Sequence, residues 1–93
     1  RAIKNDPDYV EGYLSRAKAS IALKNEDEAL KDLDMALELF PEYGDALATR
    51  AQLFSAMGRE KRALNDWTQY LALPKEEQDD KFVQEAMRIV AKG

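Results

Sequence analysis

Apolar residues along this chain recur at steps of three and four. Tyr13, Leu14, Ala17 and Ile21 share one face of a helix predicted from about Asp8 to Leu23. Asn25 stands at the start of a second helix, and Glu28, three residues on, completes the spacing of a capping box. Ala29, Leu30, Leu33, Ala36, Leu37 and Phe40 form the buried stripe of that helix, and Pro41 closes it. The same order then returns. Leu47, Ala51 and Phe54 mark a third helix, and Gly58 is its expected left-handed stop. Ala63, Leu64, Trp67, Tyr70 and Leu71 mark a fourth, closed by Pro74.

This return is an internal repeat. Residues 10–43 laid on 44–77 without a gap give ten identities in 34 positions. Ordinary composition would give roughly two or three. The identities are Arg16/Arg50, Ala17/Ala51, Ala22/Ala56, Glu26/Glu60, Ala29/Ala63, Leu30/Leu64, Asp32/Asp66, Leu37/Leu71, Leu39/Leu73 and Glu42/Glu76. Each repeat reads as two antiparallel helices joined by a short turn. Small residues at Ala17, Ala29, Ala51 and Ala63 let the helices approach, while Tyr13, Leu33, Phe54 and Trp67 fill the space beside them. One hairpin cannot bury its apolar face alone, so neighbours must stack.

The period, the paired helices, the alanines and the closing proline resemble the tetratricopeptide repeat family. Its large residue early in the first helix is matched by Tyr13 and Leu47, and the small residue four later by Ala17 and Ala51. Ala29 and Ala63 match the small opening of the second helix, followed four later by Leu33 and Trp67. Ala36 fits the next small position, where the second repeat has Tyr70. Pro41 fits the closing proline, Pro74 arrives one residue early, and Lys24 replaces the inter-helix glycine present as Gly58. The resemblance implies an all-α solenoid. Residues 1–9 are the end of a preceding repeat, because Ala2, Ile3 and Pro7 match Ala36, Leu37 and Pro41. Residues 10–43 and 44–77 are full repeats. Residues 78–93 form a further first helix or a capping helix, carrying Phe82, Ala86, Ile89 and Gly93 after one extra connecting residue. The chain opens on Arg1 inside a helix-like pattern, and so reads as a segment of a longer polypeptide.

Composition narrows the function. Apolar residues make up 45% and charged residues 34%, ordinary for a folded chain. There is no Cys and no His, which removes thiolate chemistry, the commonest general base and the commonest metal ligand. The net charge is −4, where a nucleic-acid binder carries a basic surplus. All of that surplus lies in residues 10–43, which hold eight acids and four bases. No apolar run approaches the ~20 residues of a membrane helix.

Few residues suggest chemistry. Asp32 and Asp66 recur at one place in both repeats, as an acid/base or metal pair or as helix-surface residues paired to Lys31 and Arg62. The acidic run Glu76, Glu77, Asp79 and Asp80 lacks calcium-loop spacing and suits the start of the last helix. Arg59, Lys61 and Arg62 form a basic cluster that reads as a solvated turn. Trp67 belongs to the buried stripe. We read the chain as a non-enzyme without cofactor or metal.

The resemblance implies a concave groove lined by first helices. Its ligand-facing positions fall on Leu14, Ser15, Lys18, Ile21 and Ala22, on Ala48, Thr49, Gln52, Ser55 and Ala56, and on Val83, Gln84 and Met87. The expected role is a protein-interaction module that binds a peptide or helix. The alternatives are a regulatory or targeting segment of a larger enzyme, and a spacer or self-association element. Neither nucleic acid nor membrane insertion is expected. The last helix, with Val83, Met87 and Val90, is a candidate self-association surface.

Overall fold

The computed structural model describes residues 7–92, with side-chain surroundings from Val10 onward. The described residues are all-helical: α1 (Pro7–Ala22), α2 (Glu26–Leu39), α3 (Gly44–Ala56), α4 (Glu60–Leu71) and α5 (Asp80–Lys92), with a 3-10 turn over Lys75–Glu77. α1 pairs with α2 and α3 with α4; α2 also packs on α3, α4 on α5, and α1 touches α3. The expected helix end at Ala2 and Ile3, and Gly93, lie outside the described residues.

The alanines sit where close approach demands small side chains. Ala17, Ala29 and Ala51 are completely buried and Ala63 nearly so, with Leu33 and Trp67 buried at matching positions. Burial is uneven. α3 buries eight residues, from Gly44 to Phe54, whereas α5 buries only Ala86.

Both hairpin turns have one backbone design. Gly58 has φ +79° and Lys24 φ +66°. Arg59 N–H donates to Phe54 C=O, and Asn25 N–H to Ser20 C=O, each at 2.8 Å. These six-to-one bonds satisfy the last carbonyls of α1 and α3. Lys24 therefore takes the glycine conformation without being glycine. The capping box expected at Asn25 is absent: its side chain makes no cap bond, and its φ of −95° and ψ of 72° lie short of N-cap geometry. Its backbone is already engaged in the turn.

The α4–α5 connection differs from its α2–α3 counterpart. α4 ends at Leu71, three residues before Pro74. The Gln78 side-chain amide then donates to the carbonyls of Tyr70, Leu71 and Leu73 at 3.2, 3.2 and 2.9 Å. The Tyr70 hydroxyl accepts from Asp79 N–H at 2.6 Å, and its ring meets Trp67 and Phe82 edge-on. The bulk of Tyr70, out of pattern in the sequence, thus ties α4 to the start of α5. Asp79 Oδ1 accepts from Lys81 N–H at 3.2 Å at the head of that helix, while Glu76 and Glu77 belong to the 3-10 turn.

Candidate functional site

The most organised polar feature is a pair of arginine clamps. Arg16 Nε and Nη2 donate to Asp32 Oδ2 and Oδ1 at 2.9 and 2.8 Å. Arg50 Nε and Nη2 donate to Asp66 Oδ2 and Oδ1, both at 2.9 Å. In both cases the partner lies 16 residues on, across the hairpin. Hydrogen bonding to the carboxylate raises the pKa of each guanidinium above its ordinary value. Asp32 and Asp66 are buried, at 7% and 1% exposure. The surface placement beside Lys31 and Arg62 is therefore corrected. Burial selects the planar, two-pronged arginine over a neighbouring lysine. Both oxygens of each carboxylate accept a hydrogen bond from an arginine. The signal was in the sequence: Arg16, Arg50, Asp32 and Asp66 are four of the repeat identities, at one common separation.

Arg50 does more than Arg16. Its Nη1 also donates to Asp34 of α2 at 2.8 Å, linking two hairpins. The next junction abandons this device. Glu85 stands 35 residues after Arg50 and Thr68 stands 34 after Asp34. Glu85 Oε1 accepts from Gln52 Nε2 at 3.0 Å, and Thr68 turns back to Leu64 C=O at 2.8 Å.

The expected groove positions divide by burial. Ser15, Lys18 and Ala22 of α1, Gln52, Ser55 and Ala56 of α3, and Gln84 and Met87 of α5 are exposed. Ile21 and Val83 are half-buried. Leu14, Ala48 and Thr49 are a correction, because all three are buried and present nothing to a ligand. Leu14 and Ala48 belong to the core cluster, and the Thr49 hydroxyl donates to Asp45 C=O at 2.7 Å within its own helix. The Gln52–Glu85 bond bridges α3 and α5 across the accessible row.

The other singled-out residues are quickly placed. Arg59, Lys61 and Arg62 are exposed, and the latter two edge a cavity of about 450 Å³ that includes the Asp34, Arg50 and Asp66 network. Trp67 is fully buried, and its indole N–H has no acceptor among the described residues. No three acidic side chains converge in a metal-holding arrangement among the described residues. No described helix is long and apolar enough to cross a membrane. Compared with known proteins, the chain matches no family model, and no curated protein sequence is significantly similar to it.

Proposed function

We propose that this chain is a tetratricopeptide-type helical repeat. On this reading it is a binding module rather than an enzyme, taking a peptide or helix on the face shared by α1, α3 and α5. The observation that carries the reading is the recurrence of one hairpin. Arg16–Asp32 and Arg50–Asp66 make the same two-pronged contact, offset by 34 residues, beside turns of the same backbone design. A fold that repeats one unit extends a surface, and that surface is what such arrays use for recognition.

Charge selects the ligand. Among the accessible row only Lys18 is cationic, with Glu11 and Asp45 exposed on the same two helices. One base among acids makes no attractive field for an acidic C-terminal tail. The ligand is a neutral or weakly basic segment held by small apolar contacts and amide hydrogen bonds. A titration followed by amide shifts tests this with an acidic chaperone-tail peptide and a neutral apolar one. Shifts on Ile21, Gln52 and Gln84 with the neutral peptide are expected. Micromolar binding of the acidic peptide, centred on Lys18, would overturn the reading.

Self-association through α5 is a second reading, favoured by Met87 at 57% exposure beside half-buried Val83 and Val90. Sedimentation at high concentration decides it, and a strict monomer removes it.

A further inference from the structure

Where α3, α4 and α5 meet, they leave a cleft of about 490 Å³. That volume lies within the roughly 300–1,000 Å³ usual for small-molecule sites. Ala63 and Leu64 of α4 and Ile89 of α5 give it apolar walls. Ala63 is buried and the other two are half-buried. Ser55, Glu60, Lys61 and Lys92 complete the lining, and all four are exposed. The cleft thus has hydrocarbon inside and a polar mouth.

The same junction one repeat earlier is furnished differently. With α5 advanced by its one extra connecting residue, Ile89 answers to Phe54 and Lys92 to Met57, while Ser55 answers to Ile21 and Lys61 to Asp27. Phe54 is buried, and Ile21 and Met57 pack against the core. The later junction therefore has a smaller isoleucine for an aromatic ring, a hydroxyl for an isoleucine and an ammonium for a thioether. Charge changes with volume. The earlier rim carries two acids, Glu26 and Asp27, and no base, whereas the later one carries Lys61 and Lys92 against Glu60. Neither lysine makes an ion pair among the described residues.

We infer that this cleft binds a small anionic amphiphile, a free alkyl carboxylate whose chain lies against Leu64 and Ile89 and whose head meets Lys61 and Lys92. The space left by the missing bulk takes apolar matter that gains by leaving water. A lysine stem can lie along such a surface while its ammonium stays at the watery edge. Two ammonium groups against one carboxylate favour an anion there, held by charge-assisted hydrogen bonds. A cationic amphiphile of equal length would meet two like charges. The cleft shares only Ser55 with the row assigned to a peptide, so its ligand does not depend on that reading.

Decanoate, kept below its micelle concentration, is the probe, titrated into the isotope-labelled full chain. Saturable amide shifts on Ser55, Lys61, Leu64 and Ile89 are expected, with a midpoint on the order of 1 mM, the ligand-efficiency scale for a molecule of this size. Acetate, the head without the chain, should leave these amides unmoved at the same concentrations. Decyltrimethylammonium, and decanoate added to the Lys61→Gln, Lys92→Gln chain, should each bind about three- to tenfold more weakly, the scale of exposed charge contacts. Ser55→Ile with Ile89→Phe restores the bulk of the earlier junction, keeps the helical circular dichroism, and should abolish the shifts. Arg62 lines the neighbouring cavity but not this cleft, so Arg62→Gln should leave the midpoint unchanged. Absence of saturation, equal binding by decyltrimethylammonium, or an unchanged midpoint in the double lysine variant would each overturn the inference. So would an equal loss in Arg62→Gln, or shifts centred on Ile21 and Gln52.

Discussion

Gly44 and Tyr70 are fitted to each other. A Cβ on Gly44 would stand 3.3 Å from Tyr70 Cε1 and would collide with the carbonyl oxygen of Glu77. The first repeat holds Val10 and Ala36 at the same register, both buried. The repeats have exchanged bulk between two helices, and the 3-10 turn occupies the space that Gly44 leaves. Gly44→Ala should therefore destabilise the protein by roughly 1–3 kcal/mol, because backbone as well as a side chain must move. Chemical denaturation checks it, and an unchanged midpoint would show that the connection yields freely.

The two clamps should differ in worth. Asp66→Ala leaves Arg50, only 20% exposed, without its main partner. A loss of about 3–5 kcal/mol is expected, as for other broken buried pairs. Asp32→Ala frees an arginine that can turn to water, so its cost should be clearly smaller. Equal losses would mean that packing, not charge, dominates both sites.

At Lys24 the backbone pays a left-handed penalty of about 1–2 kcal/mol, of which glycine's extra unfolded-state entropy would return roughly half. Lys24→Gly should thus raise stability by about 0.5–1 kcal/mol. A lowered melting temperature would indicate that the lysine side chain holds the turn.

Alkaline pH offers a separate test. Burial, with Glu11, Asp45 and Glu77 nearby, pushes the Tyr43 phenol up to about 12 from its usual 10.0. The folded state then keeps a proton that the unfolded state releases. The stabilisation is complete below pH 10.0 and disappears as pH rises towards about 12. Tyr43→Phe should flatten the fall in melting temperature across that window. An identical slope would mean that other groups dominate it.

Much of the architecture was legible because helices announce themselves by period. The alanine positions, the Gly58 stop and the burial of Trp67 all follow from a 34-residue recurrence read with packing rules. The arginine clamps were missed for a physical reason. Charge pairing along a helix favours neighbours up to three or four residues away, a rule that points to Lys31 and Arg62. A hairpin fold brings together residues 16 apart instead. Leu14, Ala48 and Thr49 come to the groove through the family resemblance, which carries over register positions but not how many neighbours surround each helix. Lys24 shows the opposite limit: a backbone conformation imposed by the surrounding turn, against the preference of its own residue type.

The uneven burial of α3 and α5 also sets an order of opening. α3 has neighbours in α1, α2 and α4 and buries eight residues, while α5 leans chiefly on α4 and buries one. Amide hydrogens of α5 should exchange with solvent through small local fluctuations, long before the molecule as a whole unfolds. Those of α3 should wait for the global event and report the full unfolding free energy. A binding surface built on both helices would then join a rigid wall to a yielding one. A ligand touching α5 would slow exchange there most, so its footprint would appear first in the kinetics of the least protected helix.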